Sequence, residues 1–194
     1  MDSHSRPLAA DLADYGRRWP GEAATISDFT ALLAAHDDAA AYRRERLAGH
    51  FTGSAWVVSA DGRRTLLLHH RKLDRWLQPG GHADGDTDLA RVALREAEEE
   101  TGLRDLVVEP GVFDLDRHAI PARAAEPEHW HYDVRFVVHA TGSEDFVVNE
   151  EANALAWREV ADVAIDPHVD ESVQRMARKW LGRRDVPLSH RERG

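Results

Sequence analysis

One stretch of the sequence, Gly80–Leu103, constrains the fold most, because it reads as a glycine turn, a short acidic loop and a helix. The helix carries Arg95, Glu96, Glu99 and Glu100. A helix advances about 100° per residue, so Glu99 and Glu100 each lie within about 60° of Glu96 around the axis. Such like charges repel by only about 0.2–0.5 kcal/mol per pair in water. A hard divalent cation such as Mg²⁺ prefers carboxylate oxygens and would turn that repulsion into attraction.

The two ends of this helix are marked by local signals. Thr87 or Asp88 is the expected N-cap, because a short polar side chain there accepts a hydrogen bond from the first turn. Gly102 stands where glycine commonly ends a helix. The apolar residues in between recur at helical spacing and should face a core, which leaves the carboxylates on another side. These apolar residues are Leu89, Ala90, Ala93, Leu94 and Ala97.

Charge and cysteine content exclude several classes of protein. The chain has 194 residues, a net charge of −10 and no cysteine. The acidic balance argues against a nucleic-acid partner, which would need a basic surface, but not against a small phosphate-bearing ligand held through a metal. The lack of cysteine excludes disulfides, thiolate zinc sites and a cysteine nucleophile, and it fits a reducing cytoplasm.

The sequence contains no recognisable export signal or membrane span. Its first residues, MDSHSRPLAADLADY, lack the apolar segment of a signal peptide. No apolar run approaches the roughly 20 residues that cross a bilayer. We therefore predict a cytoplasmic protein with no membrane partner.

Residues 1–50 are expected to form a helical extension. Two apolar stripes at helical spacing are separated by Pro20-Gly21, and Ser27 is a candidate cap for the second. The stripes consist of Leu8, Leu12 and Tyr15, and of Ile26, Phe29, Leu32 and Leu33. The extension is expected either to complete the core of the main domain or to pack on a second subunit of a homodimer.

The middle of the chain is expected to be rich in β-structure. The turn signal Asp61-Gly62 predicts a hairpin between the first two strands. Apolar and polar residues alternate in 131–139, so the polar side of that strand lines a cleft or faces water. The expected strands lie at 51–60, 63–70, 106–109, 112–120, 131–139 and 146–149, with another centred on Trp157.

A C-terminal helix is expected to open at Asp166-Pro167, because a cap followed by proline is typical of a helix N-terminus. Its apolar stripe is assigned to a core or an interface and consists of Val169, Val173, Met176 and Trp180. A polar tail follows at 183–194.

The segment REAEEETGL at 95–103 resembles the end of the Nudix box, R-E-U-x-E-E-x-G-U, in which U is apolar. Gly81 stands at the spacing that the box gives its first glycine. The resemblance implies an α/β fold, namely a Nudix-type α/β/α sandwich with a mixed sheet, over residues 51–182. The N-terminal helical extension lies outside it.

One position departs from the family pattern. The box has glutamate six residues after its first glycine, and this chain has Thr87 there, between Asp86 and Asp88. In the family that glutamate supports the box arginine and the metal cluster. We therefore expect Asp86 to take over part of its role.

The resemblance implies hydrolysis of a nucleoside diphosphate linked to another moiety, with a nucleotide sugar as the expected substrate class. Mg²⁺ or Mn²⁺ would be held by Glu96, Glu99 and Glu100 with the Gly80 carbonyl, and would neutralise phosphate oxygens and acidify a bound water. Arg95 would orient a box carboxylate through a charge-assisted hydrogen bond. Glu99 and Glu100 are thus expected to be catalytic as well as metal-binding.

The remaining site residues are expected from loops and strands outside the helix. Glu151 is the expected general base, with Glu150 and Glu100 as alternatives. Substrate phosphates would be bound by Arg71, Arg123, Arg135 and His131. The neighbouring Lys72, Arg75 and His129 are further candidates.

Three other functions are known for the same fold. The substrate could be a nucleoside triphosphate, as in a housecleaning pyrophosphohydrolase. A catalytically silent nucleotide sensor is a second alternative, although such proteins usually add a DNA-binding winged helix. Type I isopentenyl diphosphate isomerases share the fold, but they use an active-site cysteine that this chain lacks.

Overall fold

The computed structural model describes residues 6–35, 40–122, 127–149 and 152–184. Five α-helices lie in these ranges: α1 Leu8–Arg18, α2 Ala23–Ala34, α3 Leu89–Thr101, α4 Val160–Val163 and α5 Glu171–Arg184. The strands are β1 Gly49–Val58, β2 Arg64–His70, β3 Arg75–Leu77, β4 Gly80–His82, β5 Leu106–Val108, β6 Asp114–Ile120, β7 His129–Ala140 and β8 Ala152–Glu159. No helix in these ranges has the length and apolarity needed to cross a membrane.

The strands form one mixed sheet centred on β1 and β7. These two strands pair in parallel along their length, from Gly49↔Trp130 to Val58↔His139, and every other pairing is antiparallel. On its other side β1 pairs with two strands, with β4 near its middle and with β2 at its C-terminal end. Because β4 and β2 pair with different parts of the same side of β1, the short strand β4, with Gly80 and Gly81, lies beside the middle of the sheet.

Helices cover both faces of the sheet because the strand side chains alternate between two cores. Phe51, Ala55 and Val57 of β1 pack in the core that includes α1, α2 and α3. Trp56 and Val58 pack in the opposite core, with α4 and α5. The predicted α/β/α sandwich with a mixed sheet is therefore confirmed.

The N-terminal helices complete the first of these cores. Phe29 of α2 is fully buried, and its ring lies 5.3 Å from that of Tyr132 on β7 and 6.2 Å from that of Phe51. Both predicted apolar stripes belong to this core. The cap expected at Ser27 is wrong, since α2 begins at Ala23 and places Ser27 inside the helix.

Two other boundaries differ from the sequence-based expectation. The segment 146–149 is not a strand, because Val147 donates its N–H to the carbonyl of Thr101 at the end of α3. The last helix begins at Glu171. Asp166 instead closes a turn by accepting from His168 N, and Asp170 accepts from Ser172 N where α5 starts. The predicted tail lies outside the described residues from 185 onward.

Candidate active site

Helix α3 is capped at both ends and packs closely on β1. Asp88 is the N-cap and accepts from Arg91 N at 3.1 Å, and Gly102 ends the helix in the left-handed conformation with φ of 70°. The predicted helix bounds are thus confirmed. A Cβ added to Gly53 of β1 would lie 2.8 Å from the Leu89 carbonyl oxygen. The glycine therefore allows α3 to approach the sheet more closely than a side chain would permit.

Two carboxylates of α3 lie against the glycines of β4. The backbone N–H of Gly80 donates to Glu100 Oε2 at 2.9 Å. A Cβ added to Gly81 would lie 2.5 Å from Glu96 Oε2, which is closer than such atoms approach. The space next to Gly81 is thus occupied by a carboxylate, and this contact is a physical reason for glycine at that position.

Arg95 joins the helix to the same strand. Its Nη2 donates to Glu96 Oε1 at 2.9 Å and to the carbonyl oxygen of His82 at 3.1 Å. The contact between Arg95 and a box carboxylate that the sequence predicts is present. Because the guanidinium also bonds to β4, it fixes the Glu96 carboxylate relative to the glycine turn.

The third carboxylate has a different environment. Glu100 is buried and the Glu96 side chain is only 17% exposed, whereas Glu99 is exposed. The structure thus gathers Gly80, Glu96 and Glu100 in one place and presents Glu99 beside them to solvent. These carboxylates and the Gly80 carbonyl are the groups that would hold a hard divalent cation.

Asp86 has a different partner from the one expected. Both of its carboxylate oxygens accept from Arg91, at 2.6 and 2.8 Å, and Oδ1 also accepts from Asp88 N. The hydrogen bond from Arg91 is the largest cause that lowers the pKa of Asp86. The contacts of Asp86 therefore stabilise the start of α3 and do not reproduce a bond to Arg95.

The expected base and part of the expected phosphate-binding set cannot be placed. Glu150, Glu151 and Arg123 lie outside the described residues. Arg71 is exposed and its Nη2 donates to the carbonyl oxygen of Ala152 at 3.3 Å. Its guanidinium therefore lies beside the start of β8.

Arg135 lies inside the protein and is not placed to bind a substrate phosphate. It is only 2% exposed, and its guanidinium donates to Asp133 at 2.7 Å, to Asp114 at 3.2 Å and to Ser172 Oγ at 3.2 Å. At Arg135 the polar side of β7 therefore faces α5, and it neither lines a cleft nor faces water. The Arg135 partners Asp114 and Ser172 come from β6 and α5, far from Arg135 in the sequence.

His131 lies among other histidines at the opposite end of the same polar side. Its ring centroid is 4.9 Å from that of His50, 5.0 Å from that of His82 and 5.1 Å from that of His129. Burial, followed by the charges of the neighbouring imidazoles, lowers the pKa of His131 to about 2. The ring is therefore neutral at pH 7 and supplies no positive charge to a phosphate.

Comparison with known proteins agrees with this geometry. The NUDIX domain model matches residues 50–180. A putative 8-oxo-dGTP diphosphatase 3 of Mycobacterium tuberculosis is 33% identical over an alignment of 131 residues, and the match covers 60% of this chain and 55% of that protein. A CMP-5'-(N-acetyl-N-hydroxy-3-aminopropyl)phosphonate hydrolase of Streptomyces rubellomurinus is 32% identical over an alignment of 126 residues, and the match covers 56% of this chain and 61% of that protein.

These curated relatives are longer than the part that this chain matches, since it spans somewhat more than half of each. Among solved structures, an Ap4A hydrolase binary complex from C. elegans superposes with a TM-score of 0.54 at 19% identity, covering 68% of this chain and 95% of the other. That likeness concerns the fold. With the family match over most of its length and the glutamates of α3 on the glycines of β4, the chain belongs to the NUDIX domain family.

Proposed function

We propose that this chain is a divalent-metal-dependent hydrolase that cleaves the diphosphate bond of a nucleoside diphosphate linked to another moiety, with a nucleotide sugar as the substrate class. The observation that supports the proposal most strongly is that the carboxylates of Glu96 and Glu100 lie against the backbone of β4. Two carboxylates held side by side in a partly buried place are favourable only when positive charge balances them. Arg95 supplies part of that charge.

The donor set fits the metal that the family implies. Every side-chain ligand in the group is a carboxylate, and hard oxygen ligands are those preferred by Mg²⁺ and Mn²⁺. The glycine at 81 also leaves room for the Glu96 carboxylate, which a Cβ would displace. Glu96, Glu99, Glu100 and the Gly80 carbonyl would hold the ion. When bound, it would neutralise diphosphate oxygens and lower the pKa of a water ligand.

The protein's own groups have separate roles in this proposal. Arg95 holds Glu96, and the Gly80 N–H holds Glu100, so both carboxylates are oriented before a ligand arrives. Glu99 is the exposed carboxylate and meets the incoming diphosphate and its metal. Glu151 stays the proposed proton acceptor, and Arg71 stays a proposed phosphate ligand. Placement and charge stabilisation of this kind supply most of the catalysis in phosphoryl transfer.

The names of the two relatives support two substrate classes. The Streptomyces relative is named for a nucleotide joined to a small phosphonate, which favours a nucleoside phosphate linked to a non-nucleotide group. The mycobacterial relative is named for 8-oxo-dGTP, which favours the alternative of a nucleoside triphosphate. Both classes contain the phosphoric anhydride that the proposed site would cleave.

A substrate panel separates these classes. Nucleotide sugars, dinucleoside polyphosphates, 8-oxo-dGTP and ordinary triphosphates would each be incubated with the protein and Mg²⁺, and the products separated by ion-exchange chromatography. We expect nucleoside monophosphate and a sugar phosphate from a nucleotide sugar. Preferential release of pyrophosphate from a triphosphate would favour the alternative. Tight nucleotide binding with no product from any compound would contradict hydrolysis and favour a silent sensor.

A further inference from the structure

Five histidines from four strands meet at one end of the sheet. They are His50 of β1, His82 of β4, His118 of β6, and His129 and His131 of β7. The strand register explains the meeting, because His131 lies opposite both His50 and His118. His82 lies opposite Thr52, two residues along β1 from His50. Residues two apart on a strand share a face, so the imidazoles project together.

Three of these histidines have the spacing of metal ligands. One ring nitrogen from each of His50, His82 and His131 lies within 4.8 Å of the other two. Their ring centroids form a nearly equilateral triangle with sides of 4.9, 5.0 and 5.1 Å. A tetrahedral zinc with Zn–N distances of about 2.0–2.1 Å separates its ligand nitrogens by about 3.4 Å and their ring centroids by about 5 Å. Small side-chain rotations would therefore complete the site.

The hydrogen bonds of His50 leave one ring nitrogen available as a ligand. Its Nδ1 lies 3.4 Å from the carbonyl oxygen of Arg46, and since a carbonyl only accepts, Nδ1 carries the proton. Nε2 then has a lone pair. His50 is only 2% exposed, and its Nε2 has no hydrogen-bond partner among the described residues. A buried acceptor without a partner is unfavourable unless it binds something.

The hydrogen bonds of His131 also leave one of its ring nitrogens available as a ligand, and the argument involves His129. His129 Nδ1 lies 2.9 Å from the carbonyl oxygen of Pro127 and therefore carries a proton, so its Nε2 accepts. That Nε2 lies 3.2 Å from His131 Nε2, which must donate. His131 Nδ1 then keeps its lone pair. Histidine ligands in metal sites are typically oriented this way, with the other ring N–H donated to an outer partner.

The surroundings of His50 and His131 favour the neutral ring, which is the form that binds a metal. Burial lowers the pKa of His50. Burial and the adjacent imidazoles lower that of His131 as well. His118 lies at the edge of the cluster and is held by Asp116, with Nδ1 and Oδ2 3.0 Å apart.

We propose that His50, His82 and His131 form a second metal site, for a borderline-soft divalent cation of the zinc type, with a fourth position open to water or another oxygen ligand. The all-nitrogen donor set favours zinc over magnesium, whereas the carboxylates of α3 favour magnesium. The two sites meet at β4, because His82 contributes its ring to one and its carbonyl bonds to Arg95 in the other. The proposal does not depend on the hydrolase function.

Metal binding by the tag-free 194-residue chain tests this site directly. After chelation and dialysis, Zn²⁺ would be titrated calorimetrically in excess Mg²⁺, and Co²⁺ would be added separately to record its visible spectrum. We expect one Zn²⁺ per chain and the intense bands of tetrahedral Co²⁺. His50→Gln and His131→Gln should each weaken Zn²⁺ binding by more than the roughly 10–100-fold that loss of an outer-shell partner causes.

Two control variants and the wild-type spectrum make the result decisive. His168→Gln changes an exposed histidine outside the cluster and should bind Zn²⁺ as the wild type does. Glu96→Gln should also bind it unchanged. Absence of Zn²⁺ binding, or only the weak octahedral Co²⁺ spectrum, in the wild-type protein would overturn the proposal without any variant. Loss of Zn²⁺ in Glu96→Gln but not in the histidine variants would place the ion at the carboxylates and also overturn it.

Discussion

At the scale of single residues, Gly81 has the most direct link to the proposed chemistry. A Cβ at this position would lie 2.5 Å from a Glu96 oxygen, and the carboxylate is the flexible partner in that clash. We expect Gly81→Ala to displace Glu96 and to lower kcat/KM at limiting Mg²⁺ by about tenfold or more, or about 1.4 kcal/mol. The melting temperature should change little, because the side chain that moves is only partly buried.

Gly182→Ala is the matched control for this variant. Gly182 lies in α5, and a Cβ added there meets no heavy atom within 4 Å. It should leave both turnover and its Mg²⁺ dependence at wild-type values. Equal Mg²⁺ dependence in Gly81→Ala and Gly182→Ala would remove the reason given for glycine at 81.

Arg135 is expected to stabilise the fold, and this is a different role from the one its sequence position suggested. Its removal leaves the buried carboxylates of Asp133 and Asp114 with less positive charge. Breaking a buried ion pair in this way typically costs about 3–5 kcal/mol. We expect that loss in Arg135→Met, measured by urea unfolding. Arg71→Met, which changes an exposed arginine, should differ from the wild type by less than about 1 kcal/mol. Similar losses in both variants would contradict the buried network.

At the scale of secondary-structure elements, β6 and α5 are joined by a buried charge network. Asp114 of β6 accepts from Arg175 at 2.8 Å and from Lys179 at 2.7 Å, and both cations are on α5. Burial alone would raise the pKa of Asp114, but the hydrogen bond from Arg175 and the charges of Arg135, Arg175 and Lys179 lower it overall. The network therefore favours the ionised carboxylate.

This network predicts a pH-dependent difference between the wild type and Asp114→Asn. The pKa of Asp114 is lower in the folded protein than in the unfolded chain. The carboxylate therefore makes its full contribution to the free energy of unfolding at pH values above the ordinary aspartate pKa of about 3.9. Its contribution is lost as the pH falls through the lowered folded value. We expect the difference in unfolding free energy to be constant between about pH 5 and pH 7 and to shrink below about pH 4. A difference that does not change with pH would contradict this assignment.

The packing of α2 on the sheet gives a further prediction. Phe29 is fully buried against Phe51 and Tyr132. Replacing a buried phenylalanine with alanine typically costs about 3–5 kcal/mol. We expect this loss in Phe29→Ala and almost none in the neighbouring Thr30→Ala, whose side chain is exposed. Denaturant unfolding would measure both, and a small loss in Phe29→Ala would show that α2 is not part of the core.

The elements that could be predicted from the sequence are those with local signals. The bounds of α3 follow from Asp88 and Gly102, and the β1–β2 hairpin follows from Asp61-Gly62. The start of α5 was misplaced because Asp166 makes a turn similar to a cap four residues before the real one. Local signals of this kind do not distinguish a turn that continues into a helix from one that does not.

Contacts between distant parts of the chain were the least predictable. Asp114, Arg135 and Arg175 come from three elements, so no local pattern shows that they pair. The histidine cluster was missed for the same reason, because His50, His82 and His131 approach one another only through the strand register. The polar residues that alternate along 131–139 were the available sequence signal for this cluster. The sequence does not show which strands pair with this segment, so it does not show which histidines lie beside His131.

At the scale of the whole molecule, the sandwich brings two kinds of ligand to one short strand. On the α3 side, the glycines of β4 hold carboxylate oxygens. On the other side, His82 joins imidazoles from β1 and β7. The N-terminal helices and α5 cover the two faces and bury the strands that fix this arrangement. The fold thus determines both sites through the position of β4 beside β1.

We propose that the carboxylates of α3 hold a divalent cation for cleavage of a diphosphate bond. The most direct test is turnover against Mg²⁺ concentration for the wild type, Glu99→Gln and Glu100→Gln, with Glu98→Gln on the same helix as control. We predict that the two box variants lose about 100-fold or more in kcat/KM, or about 2.7 kcal/mol, and that Glu98→Gln stays near the wild type. Undiminished turnover and an unchanged Mg²⁺ requirement in Glu99→Gln and Glu100→Gln would contradict the claim.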